Sequence, residues 1–339
     1  MSLRHVNLAG ARILLLRQGG LGDALVCVPI ARALRHALPG TGIDVLLSRR
    51  NYVIAPAFQP YVNRIWNYTK RPWPTLKLFG QLRSRRYDVV LDLLDAPSTT
   101  SRLLLRVTGA RARVAIGPRE QGSYTDFAPS LLPPGIHIVE RLSQILVPLG
   151  IDPSQYPLDL EFPVDQRDLD AADQLLGPRV GHYRVGFNLS GGFAAKYWGR
   201  ENFVALAGWL RARHPEAELL ILGAPDYAAE VVAIGEATGA TAVPPTASFS
   251  RFAALVHRCD VIVTPDTSVS HLAAAWKRPA VVLFIQNRSP ASELWAPYHS
   301  PHRALWHPER IASIPVELVR DALQELLARQ PGLDPAACR

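Results

Sequence analysis

The 339-residue sequence is poor in cysteine, with three, and nearly devoid of methionine, with one. Cys27, Cys259 and Cys338 are far apart and odd in number. They give neither a disulfide framework nor a metal-ligand spacing, so a reducing cytoplasm is the expected compartment. Long hydrophobic runs are missing too: no apolar stretch approaches the ~20 residues that cross a bilayer. Arg4, His5, Arg12 and Arg17 interrupt any signal-peptide core at the start. Short repeats and low-complexity tracts are absent. So are the G-x-G-x-x-G and Walker fingerprints, which disfavours a plain oxidoreductase or a P-loop enzyme. The single D-x-D, Asp168-Leu169-Asp170, falls at an expected helix start and not at a strand end. It reads as solvated capping, and neither a metal nor a cofactor is expected.

What is present fits a folded soluble protein, with 48% hydrophobic and 19% charged residues. The length suits two domains. Residues 1–150 carry 20 Lys/Arg against 8 Asp/Glu, whereas residues 151–339 carry 17 against 21. The net charge of +8 therefore arises wholly in the first half. Such asymmetry suits an anionic partner for that half, while a high-arginine background of solvated side chains explains it equally well. The basic half has neither a helix-turn-helix nor an aromatic RNA-binding signature, so no nucleic-acid partner is expected.

Short apolar runs alternate with amphipathic segments. Strands are expected at 12–16, 43–47, 64–68, 88–94 and 114–116, with a helix over 23–38 and another over 74–86. The proline-bearing text of 149–164 reads as a linker. Alternation then resumes, with strands at 184–189, 218–222, 261–264 and 280–285 and helices over 202–213, 226–235, 249–257, 267–276 and 315–329. This order implies right-handed βαβ units and parallel sheets, an α/β fold. The expected division is 1–165, 166–312, and a terminal helical segment 313–339 that can cross back to the first domain.

Three loops carry candidate chemistry. The first, Arg17-Gln18-Gly19-Gly20-Leu21-Gly22-Asp23, joins a strand to a helix, and Gly19, Gly20 and Gly22 permit positive φ and close backbone approach. Asp23 either caps the following helix or presents a carboxylate at the carboxyl edge of a parallel sheet, where ligands bind and a general base could act. The second loop runs from Asn188 through Ser190-Gly191-Gly192 to Lys196, a phosphate-compatible turn followed by a mobile positive charge. The third is Thr264-Pro265-Asp266-Thr267-Ser268 opening an alanine-rich helix. Unpaired N–H groups, hydroxyls and the positive dipole end suit a diphosphate there. Asp266 is the expected cap, and His271 is either a packed side chain or a ligand. Asp226, after another strand, is a candidate for a ribose hydroxyl or a helix cap.

Taken in order, these segments resemble glycosyltransferase family 9, the ADP-heptose:lipopolysaccharide heptosyltransferase family. The resemblance runs from about Ala11 to Leu327. It rests on R-I-L-L-L-R-Q-G-G-L-G-D at 12–23, the Lys-x-Trp segment of Ser190–Asn202, and the D-T-x-x-x-H-x-A-A segment at 266–274. It implies a GT-B fold, two Rossmann-like domains whose parallel sheets face a central cleft. It also implies inverting, metal-independent transfer of heptose from ADP-heptose to a lipopolysaccharide inner-core acceptor. Asp23 then matches the catalytic base, Lys196 the donor-phosphate lysine, and Asp266, Thr267 and His271 the donor-binding segment. Ser268 stands where the family usually has glycine. Ile285-Gln286-Asn287 stands where it tends to place one.

The implied partners are a nucleotide sugar, an acidic glycolipid and the inner-leaflet membrane surface, with the protein cytoplasmic or peripheral on that membrane. Arg49, Arg50, Arg64, Lys70, Arg71, Arg83, Arg85 and Arg86 are unranked acceptor contacts. Lys70–Phe79 is either a membrane-surface or acceptor flap or a plain core-covering helix. The rival readings are a same-fold transferase or epimerase with another nucleotide sugar or acceptor, and a non-catalytic nucleotide-sugar-binding relic.

Overall fold

The computed structural model describes residues 3–94, 96, 98–117, 122–130, 136–285 and 294–329. The chain divides into two compact units, Met1–Phe162 and Pro163–Arg339.

The first unit holds β1 (Arg12–Arg17), β2 (Gly42–Ser48), β3 (Arg64–Tyr68), β4 (Val89–Asp92), β5 (Ala112–Ile116) and β6 (Asp126–Ala128). They form one parallel sheet in the order β3-β2-β1-β4-β5-β6. The second holds β7 (Tyr183–Asn188), β8 (Ala217–Leu222), β9 (Thr241–Ala242), β10 (Val261–Pro265), β11 (Ala280–Ile285) and β12 (His302–His307). Their order, β12-β11-β10-β7-β8-β9, repeats the first sheet's topology, again all parallel. In each unit the first strand is central and the winding reverses beside it, between β1 and β4 and between β7 and β10. A doubly wound sheet opens its ligand crevice at that reversal, outside the carboxyl ends of the strands.

Burial explains why these segments are strands. Ile13 to Leu16 are wholly buried, as expected of a central parallel strand covered on both faces. β1 runs in register with β2 from Arg12 opposite Gly42, and with β4 from Ile13 opposite Val89 to Leu16 opposite Asp92. In the second unit Phe187, Trp198 and Phe203 share a core with Val319, Leu323, Leu326 and Leu327 of the terminal helix Val316–Ala328. That helix thus spends its apolar stripe on the second unit; residues 330–339 lie outside the described ones.

The segment expected as one helix over 23–38 is two, Leu21–Leu25 and Val28–Ala37. Pro29 has no N–H to give the carbonyl four residues back, which breaks the run. β6, β9 and β12, each at the edge of its sheet, were not anticipated; they are short or half-exposed, so the apolar signal is weak. The stretch after Leu149 has only a short 3-10 turn, Pro153–Gln155, before helix Gln166–Leu176. Arg32 ties it down through the carbonyls of Pro157 and Asp159 and an ion pair with Glu161. Among the described residues no helix is long and apolar enough to cross a membrane.

Candidate functional site

In the first unit the loop after β1 is built around a buried guanidinium. Arg17, 2% exposed, donates to the Leu93 carbonyl just past β4 and pairs with Asp23 Oδ1 at 3.0 Å. The other carboxylate oxygen accepts from the Gly20 N–H at 2.5 Å. Asp23 is therefore not the helix cap: Gly20 takes that position, and Asp23 reaches back from the first turn. Of the three glycines, only Gly19 has positive φ, at +124°. A Cβ there would collide with the Asp23 carboxylate. Gly22 lies inside the short helix. The result is a carboxylate oriented by a cation and an N–H, with 31% of its side chain exposed.

In the second unit three loops meet at the carboxyl edge. Asn188, at the end of β7, donates to Thr264 Oγ1 of β10 at 2.8 Å and so spans the winding reversal. Ser190 Oγ accepts from the Ala224 N–H at 2.5 Å, stitching the loop after β7 to the loop after β8. Gly191 lies so close to the Lys196 backbone that no Cβ fits. Lys196 Nζ donates to Asp266 Oδ2 at 2.6 Å and to the Asp266 carbonyl at 2.9 Å, and lies 5.5 Å from the Phe193 ring centroid.

The expected cap at Asp266 is corrected. The Asp266 N–H still follows the sheet, donating to Leu283 of β11, and its carboxylate is taken by Lys196. Thr267 caps the helix Ser268–Ala275, its Oγ1 accepting from the Val269 N–H at 3.3 Å. Ser268 is the first helical residue and is half-buried. His271 is 2% exposed and lies edge-on to Trp295 at 6.0 Å, a packed position on the first turn of that helix.

Asp226 sits exposed in the short turn Pro225–Tyr227, and the cap of helix Ala228–Thr238 falls on Tyr227. The capping alternative for Asp226 therefore does not hold. The loop is braced from outside: Tyr197 donates to Glu230 at 2.7 Å, and Arg200 pairs with the same carboxylate. Hydrogen bonds from Arg200 and then Tyr197 hold the Glu230 carboxyl below its usual range; burial pushes the Tyr197 phenol up.

The Asp168–Asp170 pair lies on helix Gln166–Leu176, whose cap is Asp165. Asp170 accepts from Gln166, and Asp168 faces Arg251 at 3.7 Å. Among the basic candidates, Arg85 is held by the buried Asp44 at 3.0 Å, and Arg64 lies over the Trp66 ring. Ile285 ends β11; Gln286 and Asn287 lie outside the described residues. Sequence reading missed the roles of Arg17, Asn188 and Thr264. The only available signal was a polar residue ending, or nearly ending, an otherwise apolar strand.

The profile of glycosyltransferase family 9 (heptosyltransferase) matches residues 75–314. The chain is 28% identical over 284 residues to lipopolysaccharide heptosyltransferase 3 of Escherichia coli strain K12, covering 78% of this chain and 79% of that protein. Its fold is similar to that of a family 9 glycosyl transferase from Veillonella parvula, with a TM-score of 0.77 at 17% identity, covering 95% of this chain and 98% of that one. It is also similar to the E. coli ADP-heptose lps heptosyltransferase II, with a TM-score of 0.72 at 21% identity over 94% and 99% of the two chains. The chain thus belongs to glycosyltransferase family 9: it is a glycosyltransferase whose two parallel, doubly wound sheets are the α/β halves of a GT-B fold.

Proposed function

We propose that this protein is an inverting, metal-independent glycosyltransferase that moves heptose from ADP-heptose to a lipopolysaccharide inner-core acceptor. The observation that carries the reading is the pair of carboxyl-edge anchors, the clamped Asp23 after β1 and Lys196 beside the Thr267-capped helix after β10. The name of the E. coli heptosyltransferase 3 relative supports the acceptor class, and that of the heptosyltransferase II structure supports the donor.

In this mechanism the second unit holds the donor. Asp226 takes a ribose hydroxyl, and Ser190, Thr267 and Ser268 line the diphosphate. Lys196 exchanges the Asp266 carboxylate for a phosphate oxygen. The Ser268 N–H, at the start of the helix, adds the positive end of the helix dipole. Asp23 removes the proton from the acceptor hydroxyl while that oxygen attacks the anomeric carbon from the face opposite the diphosphate. The carbon–oxygen bond to the diphosphate breaks, and ADP leaves with the electron pair. Lys196 and the helix N-terminus stabilise the charge that develops on it, the task a metal performs in other transferases. Because the acceptor is an acidic glycolipid, the protein works at the cytoplasmic face of the inner membrane, with its basic first unit toward the acceptor.

The test is incubation with a panel of nucleotide sugars, following release of ADP, UDP or GDP with and without truncated core lipopolysaccharide. Release of ADP from ADP-heptose that depends on the core acceptor is expected. Asp23→Asn should still bind donor and lose about 10²–10⁴ in turnover, the usual worth of a positioned base. Absence of ADP release with every core acceptor would defeat the proposal.

A further inference from the structure

Helix Pro72–Ser84 buries little of its own surface. Only Leu78 and Leu82 are buried, on one face, where they join the core of the first unit. The opposite face carries Trp73, Leu76, Lys77 and Gly80, grouped by helical spacing. Trp73 is 81% exposed and Leu76 60% exposed, the most exposed large apolar side chains among the described residues of this unit. A single exposed leucine needs no explanation, but a tryptophan and a leucine one turn apart on one face form a patch.

The charge around the patch has one sign. Between Asp44 and Asp88 the sequence has nine Lys/Arg and no Asp or Glu. Arg85 is spent on Asp44, but Lys70, Arg71 and Lys77 flank the two apolar side chains and are exposed. A short helix with an aromatic and an aliphatic anchor and a basic border suits the headgroup layer of an anionic bilayer: the apolar side chains enter the acyl boundary and the cations stay at the phosphates. At 13 residues the helix lies on the surface and does not span. It also starts at a useful place. Lys70 and Arg71 follow the carboxyl end of β3, and in a parallel sheet this is the same edge that carries Arg17 and Asp23.

We propose that helix Pro72–Ser84 is a membrane-docking element, seating Trp73 and Leu76 in an anionic lipid surface with Lys70, Arg71 and Lys77 on its phosphates. This extends the inner-membrane reading given above. The vesicle binding it calls for needs neither donor nor acceptor, so its failure is separable from failure of the transferase reading.

The experiment is co-sedimentation of the full chain with acceptor-free vesicles of phosphatidylethanolamine and phosphatidylglycerol, compared with neutral phosphatidylcholine vesicles. Binding to the anionic vesicles should be at least about tenfold tighter and should weaken with salt. Trp73→Ser and Leu76→Ser should each lower it by about tenfold, and Lys77→Gln by about fivefold. The melting temperature should hold in all three, because the altered groups stand in water. Equal binding to neutral and anionic vesicles would overturn the proposal. So would wild-type binding by the Trp73→Ser, Leu76→Ser double variant. A third overturning result is vesicle binding unchanged in Trp73→Ser while binding to a soluble, delipidated core oligosaccharide is lost; it would assign the patch to the acceptor headgroup.

Discussion

Asp23 and Arg17 depend on each other. The guanidinium is buried at the end of β1, and Asp23 is the acidic partner that meets it there. Removing the carboxylate takes from that cation the ion pair at 3.0 Å. A fully buried pair broken in this way costs ~3–5 kcal/mol; with Asp23 partly in solvent, Asp23→Asn should cost about 2 kcal/mol, measured as a shift of the urea midpoint. An unchanged midpoint would mean that the Arg17 contact contributes nothing. Arg17→Gln should in turn lower turnover at least about tenfold in the wild-type background and hardly at all in Asp23→Asn, because its effect runs through Asp23. Equal losses in both backgrounds would show that Arg17 acts elsewhere. Asp23 and Lys196 were legible in the sequence because each closes a glycine loop that follows an apolar strand. Their partners were not equally legible. Lys196 meets Asp266 across 70 residues of chain, and Asp266 looks like a cap until the sheet is seen to hold its backbone.

At the level of elements, the central strands announced themselves by continuous apolar runs, and three of the four edge strands did not. β12 illustrates the reason: His302–His307 is half-exposed along nearly its whole length, and its pairing with β11 is a tertiary fact without local pattern. Helix Phe249–His257 offers a test of packing at an element's end. A helix C-terminus ordinarily favours a protonated histidine. Here burial, and then the Arg278 and Arg258 guanidiniums, push the His257 pKa below 6.5, with the ring edge-on to Trp276 at 4.9 Å. The folded state thus disfavours the protonated ring relative to the unfolded chain. Stability from this source is complete above about pH 6.5 and falls as the pH drops through the lowered folded value. His257→Gln should flatten that fall between about pH 7 and 5, read from urea midpoints at several pH values. A variant with the wild-type slope would remove His257 from the account.

For the whole molecule, the proposed mechanism gives each unit one substrate contact, and this has a kinetic consequence. Lys196, with Asp266 and the Thr267-capped helix, belongs to the second unit; Asp23 and Arg17 belong to the first. A charge-assisted hydrogen bond from lysine to a phosphate contributes ~1.5–3 kcal/mol, so Lys196→Ala should weaken ADP binding by about 10- to 100-fold. Asp23→Asn should leave ADP affinity within about twofold while turnover falls, because in the proposed mechanism Asp23 acts on the acceptor hydroxyl and does not touch the leaving group. Asp266→Asn falls between these. It removes the ion pair that holds Lys196 at rest and leaves only the Asp266 carbonyl to orient it, so ADP binding persists with a smaller enthalpy. Titration calorimetry of the three variants with ADP, beside their turnover with ADP-heptose, separates these roles. A parallel loss of ADP affinity in Asp23→Asn and Lys196→Ala would mean that Asp23 serves the donor, and the acceptor base would have to be sought elsewhere on the first unit, beginning with the buried Asp92 at the end of β4.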